Sequence, residues 1–321
     1  MNSQNHIGPK LPLKDRGITP HLALIAVQFM FGTWPIFGKV ALRAISTITL
    51  VTFRVAGAAA VFTILQPRLG ELLRIPRKDL ARLVLCSLLG VVANQLLFVK
   101  GLSLTTAINA TLLGTTIPCF TLLVSIACGY DHVSLRRILG IALAAGGVIY
   151  LVDPLRAQFS SQTTWGNLLI VGNSFCYGAY IAISKDLVKK YGALKMITWL
   201  FAIGCIFMLP FGLYSLSRDN LQAVSISVWF VIAYIIIVPT VAAYYLNAWA
   251  LTRVSPSTVA TYIYLQPLIA FGLAPVLLGE RLSSRTLIAC VLIFVGVGIV
   301  VRRVRSSAAR DVVERPDALA R

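Results

Sequence analysis

Residues 93–136 read ANQLLFVKGLSLTTAINATLLGTTIPCFTLLVSIACGYDHVSLR, and residues 242–285 read AAYYLNAWALTRVSPSTVATYIYLQPLIAFGLAPVLLGERLSSR. Laid over each other at an offset of 149 residues, the two stretches keep frame without a gap. Asn94 and Gln95 fall on Ala243 and Tyr244, Gly101-Leu102 on Ala250-Leu251, and Pro118 on Pro267. Asp131 falls on Glu280, Ser134 on Ser283 and Arg136 on Arg285. Identities are few, but the matched proline-to-acid and acid-to-arginine distances mark a repeat, and a repeat decides the fold before any single element does. Upstream the correspondence continues at an offset of 146: Phe31-Gly32 with Tyr177-Gly178, Lys39 with Lys185, and Thr52-Phe53 with Thr198-Trp199.

Hydrophobic residues make up 58% of the chain and charged residues 12%, with a mean hydropathy of +0.83. An average soluble domain is about a quarter charged. The apolar sequence falls into runs near the ~20 residues that carry an α-helix across ~30 Å of hydrocarbon. Ten spans result: 20–39, 46–65, 81–99, 105–128, 137–152, 166–184, 196–216, 226–247, 257–278 and 285–301. The first run is longer than a signal-peptide core and reads as a retained helix. The expectation is an all-α integral membrane protein of ten transmembrane helices in two inverted five-helix repeats. Repeat 1 covers 20–152 and repeat 2 covers 166–302, joined by a polar linker at 153–165, with tails at 1–19 and 303–321.

The net charge of +18 would suggest nucleic acid in a soluble protein; here the cations sit in loops and tails. With the N-terminus inside, cytoplasmic segments hold 21 Lys and Arg and outer segments 7. That bias puts both termini in the cytoplasm, in the inner or plasma membrane. Five spans per half is an odd number, so the second half enters the bilayer upside down, the arrangement of secondary transporters whose halves rock about a midplane site.

Around these residues the sequence resembles the EamA-type branch of the drug/metabolite transporter superfamily. The resemblance rests on Phe31-Gly32 through Lys39, Thr49 through Arg54, Gly101-Leu102, Pro118, Asp131, Ala250-Leu251, Pro267 and Gly279-Glu280-Arg281-Leu282. It spans nearly all of 20–302. It departs from the usual pattern at Phe31, where a tryptophan is common, and at Asp131, where glutamate is usual. The resemblance implies two inverted five-helix repeats and export of amino acids or other small metabolites, or carriage of phosphorylated sugars.

All eleven acids lie in loops, tails or helix ends. Proton-coupled exporters use an embedded carboxylate, so the expectation is facilitated diffusion or exchange along the substrate gradient. Arg54 is the one cation well inside a span, and a central arginine costs at least ~2.5–3.5 kcal/mol on insertion scales. It faces a cavity, where a carboxylate or phosphate is its natural partner, or it snorkels to the interface. Gln28, Trp34, Asn94, Gln95, Asn109, Asn173, Tyr177, Asn247, Tyr262 and Gln266 are the other candidates for the substrate path. Amides are costly against lipid, so they line a polar interior or bond helix to helix. Pro118 and Pro267 hold equivalent places and are the expected bends of the core helices at the gate; plain packing kinks are the alternative.

Gly140, Ala144, Gly146 and Gly147, with Gly296 and Gly298, let helices approach closely and read as scaffold. Asp131 and Glu280 are expected to order the loop ahead of a helix that Ser134 or Ser283 caps. The six cysteines all lie in apolar runs and read as small packing residues. The three histidines lie at ends or in loops, so no metal or other cofactor is expected and no catalytic residue is assigned. The reading is a transporter, not an enzyme, acting on a small-molecule solute as a monomer or homodimer in the lipid bilayer, without nucleic acid. The alternatives are a multidrug or cation exporter of the same superfamily, and a non-transporting membrane scaffold.

Overall fold

In lipid every backbone donor and acceptor must be satisfied within the segment, and a helix does this for every residue between its ends. The computed structural model describes residues 18–66, 76–128, 134–152, 162–254 and 256–301, and the long elements among them are helices. They are α1 (Thr19–Ala41), α2 (Thr47–Ile64), α3 (Arg77–Leu104), α4 in two pieces (α4a, Ala107–Gly114; α4b, Ile117–Ala127) and α5 (Leu135–Val152). Then come α6 (Gln162–Tyr191), α7 (Ala193–Leu216), α8 (Ile226–Leu251), α9 in two pieces (α9a, Pro256–Thr261; α9b, Leu265–Leu278) and α10 (Ser284–Val301). Among the described residues, eight of these are long and apolar enough to cross a membrane, with mean hydropathy from 1.3 to 2.3. The apolar stretches of α5 and α10, Ile138–Leu151 and Ser284–Gly296, are shorter. The protein is an all-α integral membrane protein.

Two boundaries differ from the sequence expectation. α6 already begins at Gln162, inside the segment expected to be a linker, and 153–161 lies outside the described residues. At its other end α6 runs on through Lys185 to Tyr191, where charged residues on a helix emerging from the membrane are free to reach water.

The element boundaries repeat. α3 and α8 start 149 residues apart, at Arg77 and Ile226. Each carries a π turn at the matching place, Leu88–Ala93 and Ile237–Ala242. α5 and α10 match at both ends at the same offset, and α2 and α7 start 146 residues apart.

The packing is crosswise. α1 rests on α8 and α9b of the other half, and α6 rests on α3 and α4b. α2 pairs with α7 and α5 with α10. The α2–α7 pair is antiparallel: Ser46 at the start of α2 bonds Ser215 near the end of α7 at 2.7 Å, while Gln66, just past α2, bonds Thr198 near the start of α7 at 2.5 Å. α5 and α10 are antiparallel too, with Gly147 beside Ile293 and Ala144 beside Gly296.

Glycines set these crossings. A Cβ on Gly178 would lie 2.9 Å from the Ile117 carbonyl oxygen and the Thr121 nitrogen of α4b. Without a hydrophobic force between helices in lipid, such close backbone contact is a main source of association. Outward, Ile64, Phe211, Phe230 and Val276 are exposed, as acyl chains require. All six cysteines are free thiols, and Cys86, Cys119 and Cys176 are buried.

Candidate substrate cavity

The pieces of α4 and α9 part where their prolines demand it. Pro118 stands in the first turn of α4b, after the turn at Thr115 and Thr116. Pro267 stands in the first turn of α9b, after the 3-10 turn Tyr262–Tyr264. Beside these breaks lies a cavity of about 60 Å³. Phe31, Trp34, Arg54, Asn94, Phe98, Ile117, Asn173, Tyr177, Tyr244 and Gln266 line it. Two of its pairs are repeat-equivalent, Phe31 with Tyr177 and Ile117 with Gln266, so both halves contribute matching wall.

Arg54 is 2% exposed and lines this cavity, so its guanidinium does not reach the membrane surface. The residues that hold it follow from a local irregularity. Pro239 has no N–H to give the Ile235 carbonyl, the acceptor one helical turn back. In the π turn the Thr240 hydroxyl bonds that carbonyl instead, at 2.7 Å. The same hydroxyl oxygen then accepts from Arg54 Nε at 3.0 Å. The guanidinium lies over the Trp34 ring, 3.8 Å from its centre, a cation–π contact that strengthens when desolvated.

Aromatic rings form the rest of the wall. Phe31 meets Tyr177 and Tyr244 edge-on at 6.5 and 6.0 Å, those two tyrosines are 6.2 Å apart, and Trp34 stacks on Phe98 at 5.9 Å. Polar groups tie the wall down. Tyr244 donates to Asn94 Oδ1 at 3.0 Å, Asn173 Nδ2 to the Asn94 carbonyl at 2.7 Å, and Asn247 Nδ2 to the Tyr177 hydroxyl at 3.1 Å.

Of the residues expected from sequence, Trp34, Arg54, Asn94, Asn173, Tyr177 and Gln266 meet at the cavity. Gln28 and Asn247 stand one bond behind it, Gln28 accepting from Gln266 at 2.7 Å. Gln95 is buried beside Tyr244. Asn109 is half-buried in the first turn of α4a, its backbone N–H bonded by Thr106 at 3.0 Å. Tyr262 bonds His21, 2.7 Å away near the start of α1. Reading for polarity passed over Phe31, Phe98, Ile117 and Tyr244 as wall residues. Phe31 and Tyr244 carried a usable signal, since both are positions at which the halves align.

Glu280 corrects its expected role. Its two carboxylate oxygens accept the backbone N–H groups of Ala107 and Ile108, at 2.7 and 3.0 Å, at the start of α4a in the other half. It therefore latches the halves together instead of ordering its own loop, while Ser283 does cap α10 through the Thr286 N–H at 3.1 Å. Lys39, Arg43, Ser103 and Leu278 surround the latch in a second recess of about 330 Å³. Asp131 lies outside the described residues. Further acids bridge the halves: Asp219 accepts the Ser46 N–H at 2.8 Å, Asp79 bonds Lys190 and Tyr191, and Asp186 pairs with Arg82 at 3.9 Å.

The EamA-like transporter model matches this chain twice, over residues 18–152 and 164–302. The chain belongs to the EamA-like transporter family. Among relatives, this EamA chain is 27% identical over 278 residues to an "Uncharacterized transporter" of Archaeoglobus fulgidus, covering 86% of the chain and 95% of the relative. It is 24% identical over 311 residues to the "WAT1-related protein At3g18200" of Arabidopsis thaliana, covering 87% and 80%. A solved structure described as "Crystal structure of protein" superposes with a TM-score of 0.61 at 16% identity, over 88% of this chain and 97% of that one, a likeness of fold.

Proposed function

We infer that this EamA chain is a secondary transporter exporting small metabolites, such as amino acids, across the inner or plasma membrane by alternating access. The observation that carries this reading is the cavity walled by residues of both halves, two pairs of them repeat-equivalent, at the breaks of α4 and α9. The antiparallel pairing of α2 with α7, and of α5 with α10, supports ten spans in two inverted repeats, 20–152 and 166–302. In that topology both termini are cytoplasmic and the Glu280 latch is on the outer face. Two inverted copies of one unit reach outward-open and inward-open forms of similar energy. The cavity has room for a few waters. A metabolite therefore enters when the halves part, with α4 and α9 bending at Pro118 and Pro267.

Among the described residues, no carboxylate lines the cavity. Without an embedded acid for proton and substrate to compete over, transport follows the substrate gradient. The test is counterflow of labelled amino acids in proteoliposomes. Saturable exchange that persists when a protonophore collapses the proton gradient is the expected result. Exchange strictly tied to that gradient, or none across a broad metabolite panel, overturns the reading.

A further inference from the structure

The cavity lining holds, among the described residues, one cation, Arg54, and no carboxylate. Arg54 is a buried cation. Among the described residues its one hydrogen bond is Nε to Thr240, which leaves both Nη groups without a hydrogen-bond partner at a cavity lined by no acid. Tyr177 already accepts from Asn247, so its own O–H is available to donate. The Asn94 side-chain oxygen is taken by Tyr244, its carbonyl by Asn173, and the Gln28 oxygen by Gln266, so the amide acceptors left in the lining are the neutral side-chain oxygens of Asn173 and Gln266. A buried charge without a partner is costly, and a ligand that brings the opposite charge removes that cost. An ammonium group would bring the same sign as Arg54 and find no carboxylate. The remaining wall is rings, namely Phe31, Trp34, Phe98, Tyr177 and Tyr244.

Resting on the transport reading, we propose that the substrate is an organic monoanion: one carboxylate on an apolar, ring-bearing body, with no ammonium group. The carboxylate takes the two Nη groups of Arg54 in the bidentate geometry that guanidinium favours. Trp34 holds the guanidinium plane from one face, and the other rings receive the apolar body. Amino acids remain within reach of the cavity but bind less well than their deaminated counterparts.

Four compounds of nearly one shape separate charge from shape: 3-phenylpropanoate, its neutral amide 3-phenylpropanamide, phenylalanine and phenethylamine. Binding to the purified full chain in nanodiscs is read by calorimetry, and counterflow in proteoliposomes is read in parallel. Expected is 3-phenylpropanoate binding at least about tenfold tighter than both its amide and phenylalanine, since a hydrogen bond to a charged group is worth about 1.5 kcal/mol or more. Arg54→Gln should erase the difference between acid and amide, and Arg54→Lys should keep part of it. Where Arg54→Gln does not give folded protein, the acid–amide comparison in the wild type decides alone. Equal binding of acid and amide, tighter binding of phenylalanine, or no binding of any of the four overturns the proposal. Saturable flux of amino acids without that preference overturns this proposal and leaves transport standing. Tight acid binding with no flux of any compound keeps the anion site and overturns transport.

Discussion

Thr240 shows how much one side chain can hold in a low-dielectric interior. Its hydroxyl covers the carbonyl that Pro239 leaves bare and supplies the acceptor for Arg54. Thr240→Val removes both bonds while keeping the shape, and strands a buried carbonyl and a charged N–H. The expected loss is about 1–3 kcal/mol, read as a lower unfolding temperature in detergent, with Thr240→Ser recovering most of it; a silent valine would show that Arg54 finds its support elsewhere. Asp219 offers a second test. Burial pushes its carboxyl up, but the Ser46 N–H and the hydroxyls of Thr49 and Ser46 outweigh this and hold it below the usual carboxylate value. A depressed folded pKa stabilises above the unfolded value near ~4 and is lost as pH falls through the lower one. The melting-temperature gap between wild type and Asp219→Asn should thus be present at about pH 6 and close below about pH 4. A gap that persists in acid would assign the effect to something other than the ionised carboxylate.

Among elements, the close crossings are the tightest constraint. A valine at Gly178 would drive its branches into the backbone of α4b. Gly178→Val should lower the unfolding temperature by the equivalent of about 1–3 kcal/mol, the usual cost of overpacking. Gly298→Val, with open space around its Cβ, should leave the temperature nearly unchanged and serves as the control. The family and the apolar lengths were legible in the sequence because length and hydropathy act locally. The face that a helix turns inward was not. α2 is apolar nearly all round, so no stripe indicated which way Arg54 points. The two π turns share no composition cue either, since only the second holds a proline, Pro239. Glu280 looked like a local cap because its true partners, Ala107 and Ile108, stand more than 170 residues away in the chain.

For the whole molecule, in the proposed topology, the Glu280 latch is the contact whose loss should favour opening on the outer face. Its carboxylate meets the positive end of α4a, an interaction that a neutral amide makes far less well. Glu280→Gln should raise several-fold the rate at which an external thiol reagent reaches a cysteine placed at Phe98, with the six native cysteines replaced. An unchanged rate would mean that other contacts keep the mouth shut. The crosswise packing also bears on biogenesis. When the first half leaves the ribosome, α1 has yet to meet α8 and α9b, so it must wait in the bilayer until the second half is inserted. Neither half is then a folding unit by itself. Two fragments severed between residues 153 and 161 should survive in cells only when made together, each acting as the other's chaperone.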